Sequence, residues 1–197
     1  MAMDVRDPIS SVIPSLDGAV LRALAGTTAP MNLTRVHEVG GRASLSGVRR
    51  VLVRLVGTGV VLEVPGGYLL NREHVAARAV EGLAHLWGEV FDRIRSHVGE
   101  WPEPPRLVGV FGSAARRDGG GDSDIDLLVV SDSVDAAELA AELAAHTERW
   151  TGNSTRVVTV GSKDLRRMRR AREPILAEWE HDLVVIVGGR DALKAAG

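Results

Sequence analysis

The sequence predicts an α/β (α+β) chain of two domains. Between residues 15 and 58, apolar positions recur at helical spacing with caps and glycines between the segments. A short hairpin pattern follows, and then a Pro-free helical span. Beyond a proline cluster at 101–105, short β-branched runs alternate with helical stretches, the pattern of a small mixed sheet covered by helices. The 197 residues, 45% of them hydrophobic, suffice for two small cores. The expected domains span 12–73 and 102–190, joined by a connecting helix at 74–101.

The first elements follow from local chemistry. Residues 4–14 read as a loose arm. Ser15 or Asp17 caps a helix carrying Val20, Leu21 and Leu24 that ends near Gly26. Asn32 caps a second, with Leu33, Val36 and Val39, stopped by Gly40-Gly41. Ser44 opens a third helix to about Thr58, with Leu45, Val48, Leu52 and Leu55 as its apolar stripe and Ser46, Arg50 and Arg54 at i+4 spacing on another side, flanked by Arg49. Val60–Val64 and Tyr68–Leu70 then flank Pro65-Gly66-Gly67 as a hairpin.

Three helices and a hairpin, with the passage VLVRLVGTGVVLEVPGGYLLNREH, resemble a winged helix-turn-helix transcription-regulator domain. The resemblance implies a third helix that enters the major groove of double-stranded DNA and a wing on the backbone. Ser46, Arg49, Arg50 and Arg54 would then be the DNA-binding residues, most of them contacting phosphates.

Residues 73–98 read as one helix whose Val80, Leu83, Trp87, Val90 and Ile94 form a seam two heptads long. That seam suits either packing on the chain's own domains or a homodimer. Further on, 107–111 and 127–130 read as strands, 134–150 as an Ala-rich helix, 156–160 as a third strand, 163–172 as a basic helical patch and 183–187 as a fourth strand. The patch suits an acidic acceptor, a nucleotide or RNA, although a charge run is more often a solvated face.

The segment VGVFGSAARRDGGGDSDIDLLVVS is the most informative in the chain. A strand runs into Gly112-Ser113, and a Gly-rich loop leads to Asp124-Ile125-Asp126 at the start of the next strand. Alternation puts Asp124 and Asp126 on one face, about 7 Å apart along the chain. Two neighbouring carboxylates repel unless a cation or a proton lies between them, and oxygen-only ligands suit Mg²⁺. Gly112 allows close backbone approach to an anion, Ser113 adds a hydroxyl donor, and Arg116 can offset phosphate charge.

Gly112-Ser113 followed by Asp124-x-Asp126 resembles the signature of the DNA polymerase β-like nucleotidyltransferases, in particular their minimal, kanamycin-nucleotidyltransferase-like branch. The resemblance implies a nucleotidyltransferase fold and transfer of a nucleoside monophosphate from a nucleoside triphosphate to an acceptor. Asp124 and Asp126 would be the catalytic metal ligands for Mg²⁺ (Mn²⁺ as a substitute), and Gly112, Ser113 and Arg116 the nucleotide-binding residues. A second metal ion would activate the attacking hydroxyl. The family places a third carboxylate on the next strand, and residues 155–160, TRVVTV, hold no acid. Three readings follow: an active transferase, a nucleotide-sensing transcription regulator of weak or no activity, and an antitoxin-like regulator with a protein acceptor or toxin partner.

Composition narrows the setting. There is no cysteine, so neither disulfides nor Cys-based zinc sites arise. No apolar stretch suits a membrane span and the start MAMDVRDPISS lacks a secretion pattern, so the expected location is cytoplasmic. Residues 1–80 hold nine arginines against six acids, the sign expected of a part that meets a polyanion. Aromatic residues make up only 4%, which disfavours stacking on single-stranded nucleic acid.

Overall fold

The computed structural model describes residues 2–41 and 44–194. They form two compact units, one of residues 7–86 and one of residues 1–6 with 87–197. Among the described residues no helix is long and apolar enough to cross a membrane.

In the 7–86 unit, a 3₁₀ turn at Pro8–Ser11 precedes α1 (Leu16–Ala25), α2 (Leu33–Gly40), α3 (Leu45–Gly57), the hairpin β1 (Val61–Val64) and β2 (Gly67–Leu70), and α4 (Ala77–Ala84). The expected caps of α2 and α3 form, whereas Ser15, the N-cap of α1, makes no side-chain capping bond and its hydroxyl donates to Asp17 instead. Asn32 Oδ1 accepts from Arg35 N–H at 2.8 Å, and Ser44 Oγ accepts from Gly47 N–H at 3.1 Å. Val48, Leu52 and Leu55 of α3 are buried with Val20, Leu24, Val36 and Val61, each burial contributing about 1.5–3 kcal/mol. Leu45, expected in that stripe, is 45% exposed because it begins the helix, a turn short of the core. The hairpin pairs Val61 with Leu70 and Val64 with Gly67, and Met31 bridges to Tyr68 on the hairpin's other side.

The second unit is built on a four-stranded sheet of order β5-β4-β3-β6. After α5 (Leu86–Gly99) come β3 (Leu107–Phe111), the short α6 (Gly112–Arg116), β4 (Ile125–Val130), α7 (Ala136–Thr151), β5 (Thr155–Val160), α8 (Ser162–Ala171), α9 (Pro174–Asp182) and β6 (Val184–Gly188). β4 and β5 are parallel, joined by α7, whereas β3 runs antiparallel to both β4 and β6. Leu107, Phe111, Leu128, Val130 and Val160 share one face of the sheet, and Leu165 and Met168 of α8 with Leu176 and Trp179 of α9 cover it. Ile125, Leu127 and Val129 point the other way and are fully buried as well, so both faces of β4 are covered, as parallel pairing requires.

Three elements differ from the expectation. The span 73–98 is two helices, interrupted at His85 (φ −106°, ψ 16°), because its apolar stripe serves two cores. Val80 is buried in the first unit's cluster, while Trp87, Val90 and Ile94 are buried in the second unit. Four of the five seam residues are thus buried within the chain, and Leu83 is partly exposed. Residues 174–182, left unassigned by the sequence, form α9. The arm at 4–14 is not loose: Val5 and Ile9 are buried, Pro8–Ser11 form a 3₁₀ turn, and the Trp87 indole donates to the Val5 carbonyl at 2.8 Å.

Candidate active site

The geometry starts from the β3–β4 register. Phe111 is the Cα partner of Asp126, so the residue after Phe111 is delivered beside the carboxylate that opens β4. That residue is Gly112, at φ +69°, and a Cβ there would stand 3.1 Å from Asp126 Oδ2. Only glycine meets both demands, a left-handed backbone and contact with the acid. Ser113 follows, half-buried, with its Oγ 3.1 Å from where a Cβ on Gly119 would lie, so the Gly-rich loop folds back over it. Trp179 of α9 meets the Phe111 ring edge-on, centroids 5.9 Å apart, and fixes the end of β3.

Asp124 and Asp126 share the face covered farther along by α8 and α9. Asn153, almost wholly buried, accepts from Met3 N–H and donates to the carbonyls of Met3 and Ser123, anchoring the backbone just before Asp124. The Asp126 carboxyl is pushed above its ordinary range, chiefly by burial, with Asp124 and Glu178 adding to the rise and Arg156 opposing it. The Asp124 carboxylate meets Arg156 Nη2 at 2.7 Å. Arg156 is the Cα partner of Asp126 across the parallel β4–β5 pair, so a cation stands beside the two acids on that strand.

The remaining predicted site residue, Arg116, ends α6. Its Nε donates to Asp118 at 2.9 Å and its Nη1 to Asp182 at 2.6 Å, with Glu178 Oε1 at 3.9 Å. Those bonds raise its pKa, so it stays charged. The sequence offers Asp182, with Asp164, as an acid near but off the third strand, whereas Glu178 and the helix that carries both α9 acids are not identified there. Leu176, Trp179 and Leu183 fall at helical spacing behind Pro174 at the first turn, a signal that would have placed Glu178 and Asp182 on the opposite side.

Two carboxylates and a glycine cradle fit a hard divalent cation that takes its other ligands from water and phosphate oxygens. The raised Asp126 pKa marks negative charge that the protein leaves incompletely neutralised, which such a cation would relieve. Among the described residues no three acidic or histidine side chains gather to hold a metal ion by themselves.

In the other unit, α3 exposes Ser46, Arg49 and Arg50. Arg54, predicted with them, is ion-paired with Asp17 at the start of α1. Ser46 Oγ lies 3.2 Å from the capping Ser44 Oγ.

Comparison with known proteins gives a match over the sheet unit. Residues 92–188 match the family model described as a nucleotidyltransferase domain. Two solved structures resemble the chain at low identity. One is described as a toxin–antitoxin with AMP-PNP, at 16% identity, covering 53% of this chain and 77% of the other with a TM-score of 0.41. The second is a mutant of the toxin–antitoxin MntA-HpeT, at 14% identity, with the same coverage of each chain and a TM-score of 0.40. No curated protein matches this chain significantly.

Proposed function

We propose that the sheet unit binds a magnesium-chelated nucleoside triphosphate and transfers its nucleoside monophosphate to an acceptor, releasing pyrophosphate. The observation that carries this reading is the placing of Gly112, at φ +69°, so close to the Asp126 carboxylate that a Cβ would stand 3.1 Å from Oδ2, inside the segment matched by the nucleotidyltransferase model. Asp124 and Asp126 would hold the metal ion, Mg²⁺ or Mn²⁺, which when bound neutralises triphosphate charge and the charge that gathers on departing pyrophosphate.

The chain's own groups do the rest. Gly112 brings backbone N–H groups close to the phosphates, and the Ser113 hydroxyl donates to them. Arg116, held by Asp118 and Asp182 beside α6, supplies positive charge on the leaving-group side. Fixed donors of this kind stabilise charge as it develops on oxygen without having to reorganise. The test is incubation with Mg²⁺ and each α-labelled triphosphate, with and without whole-cell extract. Label should enter an acceptor, and Asp126→Asn should abolish it.

Arg156 supports a second reading, in which nucleotide is bound and sensed with little turnover, since a cation stands where no acid helps activate an acceptor. In that case nucleotide raises the melting temperature and no label moves. Labelling of a small co-purifying protein would favour an antitoxin-like role.

For the 7–86 unit we propose a winged-helix role in binding double-stranded DNA through α3, and thereby in regulating transcription. Three helices and a hairpin, with Ser46, Arg49 and Arg50 exposed along α3, support it. A promoter fragment should be retarded at low salt, and Arg49→Ala/Arg50→Ala should lose that retardation. The salt slope should fall by about 0.9 for each phosphate contact removed. No retardation at low salt would end the DNA role.

A further inference from the structure

Arg156 bears on which acceptor the site can use. β4 and β5 run parallel with Asp126 opposite Arg156, Leu128 opposite Val158 and Val130 opposite Val160. Alternation therefore sets Arg156 on the same face as Asp126, with Asp124 two residues earlier on that face. The guanidinium reaches Asp124 Oδ2 through Nη2 at 2.7 Å, and its side chain is 72% exposed. Asp124 occupies one edge of a planar fork with five N–H donors, and the rest of the fork faces solvent beside the acids. Along β5, TRVVTV offers no acid and no histidine. Glu178, whose charge also acts on Asp126, sits on the Arg116 side, where the helices α6 and α9 meet.

A hydroxyl must shed its proton to attack phosphorus, and a cation at the approach neither accepts that proton nor draws a neutral group. An acceptor oxygen that is already an anion needs no base there, and a permanent cation draws it in and offsets its repulsion from the triphosphate. A phosphomonoester is such an acceptor: it carries close to two negative charges at neutral pH, and its oxygens match the guanidinium fork.

Building on the nucleotidyltransferase reading above, we infer that the acceptor is a phosphomonoester, seated by Arg156 beside the Asp124–Asp126 pair. Its phosphate oxygen attacks the α-phosphorus and forms a new P–O bond. The bond from the α-phosphorus to the oxygen bridging the β-phosphorus breaks. That oxygen keeps the electron pair and leaves as pyrophosphate. The product is a phosphoanhydride joining acceptor and nucleoside, and no proton has to move. Arg156 is the residue that selects this acceptor over an alcohol.

Benzyl phosphate and benzyl alcohol, which differ only in the phosphate, separate the two classes. The intact chain is given Mg²⁺, an α-labelled triphosphate and either probe. Label should enter benzyl phosphate, with equimolar pyrophosphate, at least about tenfold faster than benzyl alcohol. Arg156→Glu should reduce transfer to the phosphate by roughly ten- to a hundredfold, the scale of a charge-assisted contact, with Arg156→Lys in between. Calorimetry with an α,β-methylene triphosphate analogue already bound should show benzyl phosphate binding to the wild type and not to Arg156→Glu. Preference for the alcohol, no binding of benzyl phosphate to the nucleotide-loaded protein, or transfer indifferent to Arg156→Glu would each overturn the inference while the transferase reading stands. If the analogue does not bind with Mg²⁺ at all, the transferase reading falls, and this inference with it.

Discussion

A carboxylate sits near each end of β4, and the protein treats the two in opposite ways. Past the far end, Asp132 accepts from Ser162 N–H at 2.7 Å and from the Ser162 hydroxyl at 2.5 Å, with Arg106 at 3.8 Å. Those hydrogen bonds hold the Asp132 pKa below its ordinary range. At the near end, Asp126 is half-buried, has Asp124 and Glu178 as like-charged company, and is pushed upward. The first arrangement favours the charged carboxylate in the folded state, and the second disfavours it. Asp132 joins β4 to the start of α8 and stabilises the fold. Asp126 costs the fold something, which accords with the ligand-binding role proposed for it.

The largest expected effect is on the reaction. Asp126→Asn should lower monophosphate transfer by roughly 10²- to 10³-fold, several kcal/mol of lost charge stabilisation, measured with α-labelled triphosphate. The same variant should raise the melting temperature at pH 7. A raised folded pKa means that stability is lost as pH rises from the unfolded value, about 3.9, through the folded one. The gain from Asn should therefore vanish as pH falls below about 4. A lower melting temperature at pH 7 would break the comparison.

Gly112→Ala comes next. At φ +69° the added methyl strains the backbone and, standing 3.1 Å from Asp126 Oδ2, presses on the carboxylate. The expected cost is about 1–3 kcal/mol in denaturant unfolding, together with at least about a tenfold loss of transfer.

Asp132→Asn should act in the opposite sense to Asp126→Asn, and more weakly. Its lowered pKa contributes stability that is present above about pH 3.9 and lost as pH falls through the folded value. The contact is exposed, so the loss at pH 7 should be no more than about 1 kcal/mol, with transfer unchanged. The smallest effect sharpens the comparison. Glu178→Gln removes one charge that raises Asp126, so the Asp126 carboxyl resonance should titrate at lower pH while stability shifts by less than about 0.5 kcal/mol.

Where local chemistry decides structure, the sequence was readable. The caps at Asn32 and Ser44 and the strand at 107–111 are local patterns, and so was the Gly-Ser and Asp-x-Asp spacing that brings Gly112 to Asp126. What was missed depends on distant partners. His85 interrupts a periodic stripe without a proline, because two cores divide the apolar residues around it. The arm is held at Val5 by the Trp87 indole, 82 residues away. Arg156 reads as an ordinary strand residue until the parallel register puts it beside Asp126. Glu178 is not singled out by the sequence, although α9 has a legible start at Pro174 and apolar spacing behind it.

On the reading proposed above, Asp124, Asp126, Gly112 and Ser113 form one site for a metal-chelated triphosphate. Calorimetric titration of a nucleoside triphosphate analogue with and without Mg²⁺, on the wild type and on Asp124→Asn/Asp126→Asn, tests it most directly. Mg²⁺-dependent binding to the wild type, lost in the double variant, is the expected result. Binding of equal strength without Mg²⁺, or undiminished in the double variant, would contradict it.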